Sequence, residues 1–194
     1  LSGGASTQFF MSVMNLLPEG KKAAYVDTGV WSSKAIHEAK MIASIEVIAS
    51  SKDKNYSYIP KGFDISPDFE YLHTTSNNTI YGTQYQSWPD SSIPMVCDMS
   101  SDIFSKPIEP HRFGMIYAGA QKNLGPAGIT VAVIRRDLLG RHGRDLPPIF
   151  EWQNQVKNDS MFNTPPTFPW YVVGLVLKWM IAEGGLSVFA ARNS

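Results

Sequence analysis

Six short runs of strand-forming residues recur along this chain, and nothing else in it restricts the fold as much. They occupy residues 23–28, 44–50, 69–75, 95–98, 114–119 and 129–134, each rich in apolar residues and bounded by Gly, Pro or polar side chains. Segments of helical period stand between and around them. Residues 7–17 repeat apolar side chains at helical spacing and stop at Pro18-Glu19-Gly20. Residues 31–41 read as a helix with Ser32 and Ser33 near its start and His37 and Lys40 on a polar face. Residues 170–183 predict a long amphipathic helix ended by Gly184-Gly185. Residues 51–68 are polar, carry Pro60, Gly62 and Pro67, and read as a connection. Short apolar strands alternating with helices predict an α/β sheet buried on both faces.

Composition narrows the classes of function. A chain of 194 residues has room for one substantial domain, 1–194, with a buried core. Its 17 basic and 17 acidic residues balance, so no charged face is expected for nucleic acid or an anionic membrane. No apolar stretch is long enough to span a bilayer as a helix. A single cysteine, Cys97, rules out an internal disulfide and makes a cytoplasmic location the expectation. Cys97 falls in a strand-like run and reads as inert packing. His37, His73, His111 and His142 lack metal-ligand spacing. Arg135, Arg136, Asp137, Arg141, Arg144 and Asp145 read as a solvated face. No Gly-rich dinucleotide fingerprint or P-loop is present. Leu1-Ser2-Gly3-Gly4 reads as the middle of a loop and residues 190–194 as part of a helix, so a piece of a longer polypeptide is expected.

The strongest local signal is Tyr117-Ala118-Gly119-Ala120-Gln121-Lys122-Asn123-Leu124-Gly125. A lysine closing a buried strand among small residues is costly unless it is used, because burial favours the neutral amine, which is both nucleophile and base. The small neighbours leave space for a planar ligand, and the glycines allow a close backbone approach. A solvated loop lysine satisfies the same spacing, and the segment alone does not separate the two.

This segment resembles the lysine motif of the phosphoserine aminotransferase family, a branch of the fold-type I enzymes that use pyridoxal 5′-phosphate (PLP). Five further blocks resemble that family in the same order: Gly3-Gly4-Ala5-Ser6-Thr7-Gln8-Phe9, Asp27-Thr28-Gly29-Val30-Trp31-Ser32, Asn77-Asn78-Thr79-Ile80-Tyr81-Gly82, Cys97-Asp98-Met99-Ser100-Ser101 and Met161-Phe162-Asn163-Thr164-Pro165-Pro166-Thr167. The resemblance runs over essentially the whole chain. It implies a three-layer α/β/α large domain with a mixed, mostly parallel sheet, the N-terminal segment and the small C-terminal domain lying outside this chain.

The resemblance also assigns roles. Lys122 is implied to carry the cofactor and to act as base and acid. Asp98 is implied to pair with the pyridine nitrogen and keep it protonated, so that the ring is an electron sink. Trp31 is implied to stack on the ring and Thr79 to hydrogen-bond near its phenolic oxygen. Ala5 and Ser6, where a Gly-rich turn meets a helix, and Gln121 are implied on the phosphate side. Asn163 and Thr164 are implied to reach the phosphate of a neighbouring subunit, which makes a homodimer the expected assembly. For each residue a structural role competes: a strand-end aspartate, a core tryptophan, a serine N-cap, a Pro-rigidified loop.

The implied reaction is reversible amino transfer between L-glutamate and 3-phosphohydroxypyruvate, giving 2-oxoglutarate and O-phospho-L-serine, the aminotransferase step of L-serine biosynthesis. The family's substrate-gripping Arg and His residues have no counterpart in this stretch. Another fold-type I aminotransferase or lyase, or a non-catalytic binding domain, remains open on the sequence.

Overall fold

The computed structural model describes residues 1–141 and 143–193; His142 and Ser194, both part of the expectations above, lie outside the described residues. In chain order the elements are α1 (Thr7–Leu16), β1 (Lys22–Asp27), α2 (Val30–Lys40), β2 (Ser44–Ser50), β3 (Leu72–Thr75), β4 (Asn77–Asn78), β5 (Thr83–Gln84), β6 (Met95–Asp98), β7 (Met115–Gly119), β8 (Thr130–Ile134), α3 (Trp152–Lys157), α4 (Thr167–Ala182) and α5 (Leu186–Asn193). Six strands form one sheet in the order β2-β1-β3-β6-β7-β8, and β4 with β5 forms a small antiparallel ribbon. Every neighbouring pair in the large sheet is parallel except β7–β8. The fold is therefore the α/β sheet that the alternation of short strands and helices predicts, mixed and mostly parallel as the resemblance implies.

The central strands are buried on both faces because their residues alternate between two apolar clusters. Tyr25, Tyr71, Val96, Met115 and Tyr117 pack with Phe9, Val13 and Leu17 of the α1 region and Ala35 of α2. Ala24, Val26, Leu72, Cys97 and Ile116 pack on the other side with Met99, Leu124 and Val173. Burial pushes the Cys97 thiol well above its ordinary pKa, as an inert core cysteine requires.

Four expectations need correction. The two edge strands are only partly covered: β2 and β8 each carry exposed positions, so burial on both faces holds for the middle of the sheet alone. Residues 69–71 run beside β1, with Glu70 N–H donating to Lys22 O and Ala24 N–H to Tyr71 O, but strand β3 proper begins at Leu72. Arg144 is not a solvated surface residue. It donates to Leu17 O at 2.6 Å, meeting a carbonyl just past the end of α1 that has no helical partner. Helix α4 is not amphipathic: its one charge is Lys178, only Val173 and Met180 are buried, and apolar side chains point outward as well. No single helix among the described residues is long and apolar enough to cross a membrane.

Candidate active site

Parallel strands of an open α/β sheet present their carboxyl ends on one edge, and loops leaving that edge build the usual ligand crevice. Here β3 and β6 end in register, Thr75 beside Asp98, while β7, with Tyr117 beside Asp98, runs two residues further to Gly119. The entry to α1 and the first turn of α2 meet the same edge. Between them lies a cavity of about 110 Å³. Gly4, Ala5 and Ser6 line it from the turn before α1, Phe9 from α1, Trp31 from α2, Thr75 and Asn77 from the end of β3 and the ribbon. Asp98, Ser100, Ser101, Gln121 and Lys122 complete it.

Asp98 is the buried carboxylate of this cavity, 5% exposed. Ser100 N–H and Ser100 Oγ both donate to its Oδ1, at 2.9 and 2.6 Å, which leaves Oδ2 without a hydrogen bond. Burial raises its pKa above the ordinary carboxylate value; the Ser100 hydrogen bonds and the Lys122 ammonium work the other way. Behind it, His73 Nε2 and Tyr117 OH lie 2.9 Å apart in the core. Burial pushes the His73 imidazole down to about 3, so this floor is neutral. A cationic ring nitrogen held at Oδ2 would complete what Asp98 lacks.

Lys122 stands on a turn, not in the strand. β7 ends at Gly119, and Leu124 N–H and Gly125 N–H fold back onto Ala120 O at 3.0 and 2.9 Å. Buried Leu124 and the bond from Asn123 Nδ2 to Ile103 O anchor this turn. The Gln121 side chain folds back over Gly119, its Oε1 2.5 Å from where a Cβ would stand. The expected burial of Lys122 is not found. Three residues past the strand end carry its side chain to the open side of the cavity, where it is exposed. Its Nζ lies 5.5 Å from the centre of the Trp31 ring.

Ser6 does not cap α1; its hydroxyl makes no hydrogen bond to the helix and faces the cavity. Thr75 Oγ1 is buried with no partner at all. The structure thus brings Ala5, Ser6, Trp31, Asp98, Gln121 and Lys122 into one place and adds Thr75, Asn77, Ser100 and Ser101, which sequence reasoning did not single out as site residues. The run Thr74-Thr75-Ser76 closing a buried strand, and a serine two residues after Asp98, were the available signals. Thr79 is not in the cavity. It lies exposed on the turn after β4 and borders an open cleft formed with residues 58–63. Asn163 and Thr164 do not line the cavity either; Asn163 Nδ2 donates to Ser2 Oγ at 3.3 Å.

Several larger hollows exist among the described residues, and two of them adjoin segments already described. The cleft beside Thr79 measures about 950 Å³, and an apolar groove between β8, α3 and α4 about 350 Å³. Neither places a buried carboxylate opposite a lysine. The small cavity does, and its groups suit a flat, protonated pyridine ring with an anionic tail: an acceptor at Asp98 Oδ2, an orphaned hydroxyl at Thr75, an indole at Trp31, an uncapped helix start at Ser6 and an amine at Lys122.

A model of the family described as aminotransferase class-V matches residues 1–194. The chain is 50% identical over 194 residues to the phosphoserine aminotransferase of Flavobacterium johnsoniae, all of this chain against 54% of that protein. A solved phosphoserine aminotransferase from Bacillus circulans subsp. alkalophilus superposes with a TM-score of 0.95 at 48% identity, covering 100% of this chain and 54% of that one. PLP-bound phosphoserine aminotransferase from Trichomonas vaginalis gives 0.93 at 38% identity, covering 100% and 59%. The chain spans about half the length of these relatives.

Proposed function

The chain belongs to the class-V aminotransferase family, and on that premise we propose that it is the cofactor-binding large domain of a PLP-dependent phosphoserine aminotransferase. The reaction is reversible amino transfer between L-glutamate and 3-phosphohydroxypyruvate, giving 2-oxoglutarate and O-phospho-L-serine in L-serine biosynthesis. One observation carries this reading: a buried carboxylate with a free oxygen, Asp98, shares a cavity with Lys122 and Trp31. Identity of 50% to a phosphoserine aminotransferase over the whole of the chain supports the choice of substrates.

When bound, the cofactor supplies an aldehyde for the amino group and a ring that accepts the electron pair left on substrate Cα. The chain's own residues do the rest. Asp98 Oδ2 holds a proton on the ring nitrogen, and the two hydrogen bonds from Ser100 fix the carboxylate for that task. Trp31 covers a ring face and keeps water from it. The Thr75 hydroxyl meets a polar edge of the ring. The amides and hydroxyl at Ala5–Ser6, with Gln121, hold the phosphate. Lys122 Nζ anchors the cofactor and, standing at the open side, takes a proton from substrate Cα and returns it. Thr79 acts from the rim of the neighbouring cleft, next to the ribbon that supplies Asn77.

Asn163 and Thr164 serve the cofactor phosphate of a second subunit, and the working form is a homodimer. Support comes from the neighbourhood of these residues: the loop is followed at once by α4, whose outward apolar stripe is what an interface requires. A cytoplasmic location accords with the single, buried cysteine.

The test is chemical. The protein is incubated with PLP, reduced with borohydride, and digested, and the labelled peptide is mapped. Labelling at Lys122 is the expected result; labelling elsewhere, or none, overturns the reading. Rates with 3-phosphohydroxypyruvate against pyruvate and glyoxylate then decide the substrate class, the first being expected to dominate.

A further inference from the structure

The first turn of α2, which carries Trp31, hangs from one carboxylate outside the cavity. Asp27 closes β1, and its Oδ1 accepts from Ser32 Oγ at 2.9 Å and from Ser33 Oγ at 2.8 Å. Its Oδ2 accepts from Tyr56 OH at 3.1 Å, and Ser33 Oγ and Tyr56 OH are themselves 3.2 Å apart. All three partners are hydroxyls, one of them reaching over from the 51–68 connection.

Ser32 passes this hold on to the backbone. Its Oγ accepts from the N–H groups of Thr28 and Gly29, at 2.8 and 2.9 Å, two buried amides that precede the helix and have no place in its ladder. Ser32 Oγ is 2.9 Å from both Asp27 Oδ1 and Gly29 O, and its single hydroxyl proton can serve either. With the carboxylate present, the proton has a charged acceptor and the lone pairs stay on the two amides. From the opposite side the turn is pressed on the ribbon. Thr28 Oγ1 donates to Asn78 Oδ1 at 3.2 Å, and a Cβ at Gly29 would stand 2.9 Å from that same oxygen. Trp31 is the residue immediately before Ser32, and Asn77, beside Asn78, lines the cavity. The indole and the ribbon wall are therefore set by one network.

We propose that Asp27 is a positioning residue for the cofactor: through Ser32 and Ser33 it fixes the first turn of α2 and with it the Trp31 ring at the cofactor face. The inference rests on the cavity being the PLP site. A merely structural Asp27 would stabilise the fold and leave cofactor affinity to follow stability alone; a positioning Asp27 acts only as long as there is an indole to position.

A double-mutant cycle on the whole protein separates these, with PLP affinity read from cofactor absorbance and induced dichroism and folding read from the melting of the cofactor-free protein. Asp27→Ala is expected to weaken PLP binding on the order of tenfold, Trp31→Ala comparably, and the double variant no more than Trp31→Ala alone. Asp27→Asn, which keeps an acceptor for both serines, is expected to restore most of the affinity. An Asp27→Ala effect that persists at full size in the Trp31→Ala background, or no effect in either, overturns the proposal. If Asp27→Ala does not fold, the cycle is run with Ser33→Ala, expected to weaken binding about threefold, again only while Trp31 is present. Wild-type protein that binds no PLP sinks the reading of the cavity itself, and binding that Trp31→Ala leaves unchanged removes Trp31 from the site. Each failure has its own signature.

Discussion

The carboxyl edge of the sheet and the outer side of α4 break the ordinary rule of burial in opposite directions. At the sheet edge polar groups are buried: Asp98 with an oxygen unfilled, Thr75 with its hydroxyl unmet. On α4 large apolar groups stand in water. Phe168, Tyr171, Leu175 and Trp179, at helical spacing on one side, are 70%, 65%, 46% and 51% exposed. A buried polar atom without a partner costs about 1–3 kcal/mol, and a contiguous exposed apolar stripe marks a surface meant to be covered. The difference lies in shape. The polar deficit surrounds a hole lined by an amine, an indole and a helix start, which only a small molecule fills. The apolar excess runs along a helix flank, which only another surface covers.

The widest gap between the two regions should appear when the chemistry of the first is removed. Lys122→Ala is expected to lower aminotransferase turnover about a thousandfold, while its exposed position leaves the melting of the cofactor-free protein almost unchanged; steady-state rates and a melting curve check both halves. A Lys122→Ala protein that keeps its rate would put the chemistry elsewhere. Asp98→Asn keeps an acceptor for Ser100 but carries no charge to hold a proton on the ring nitrogen, and turnover is expected to fall on the order of a hundredfold. The same substitution should act on stability with a defined sign. Because burial raises the Asp98 pKa in the folded protein, the folded state keeps this proton to higher pH than the unfolded chain. The stability it gives is present below the ordinary carboxylate pKa and is lost as pH rises through the folded value. Cofactor-free Asp98→Asn should therefore melt above wild type at neutral pH, the gap closing in acid. Parallel curves across the acid range would contradict the assignment.

The sheet was legible because its signals are local. Residues 44–50 and 95–98 are legible to the residue, the first by its alternation around Ile45, Val47 and Ala49 and the second as a short buried run, and α1 and α2 to within one position at either end. Misreadings came where neighbours decide. Lys122 was expected to be buried because the run before it is, but the strand stops at Gly119 and the turn carries the side chain outward. Helix α4 does not have the amphipathic face expected of residues 170–183, since Lys178 is its only charge. In the site, Ser6, Trp31, Asp98 and Lys122 came from the resemblance of whole blocks, not from spacing. Thr75 had only a weak local signal, a hydroxyl run closing a buried strand, because its place in the site is set by strand order, which puts β3 beside β6 and hence Thr75 beside Asp98. The Asp27 network needed Tyr56, which the sequence places in a featureless connection.

A smaller test works inside the polar region. Thr75→Val keeps the branched shape and deletes the unmet hydroxyl. The cofactor-free protein should be as stable as wild type or more stable by about 1 kcal/mol, whereas PLP affinity should fall, as titration followed by absorbance would register. Loss of stability together with unchanged affinity would mean that the hydroxyl serves the fold and not the ligand.

The smallest expected effect on the single chain comes from the apolar side, and its smallness is what discriminates. Leu175→Glu places a charge in the middle of the outward stripe of α4, on a helix position already in solvent and one turn from Lys178. Surface substitutions of this kind change stability by no more than about 0.5 kcal/mol, so melting of the isolated chain should barely move. If the stripe is the face of a homodimer, the same charge sits in a desolvated contact and sedimentation should shift from dimer toward monomer. PLP affinity should then fall with it, since Asn163 and Thr164 would no longer reach a neighbouring site. A protein whose mass and affinity are both untouched would show that the stripe and the Asn163–Thr164 loop do not belong to one interface, and the exposed apolar flank would need a different occupant from a second copy of this chain.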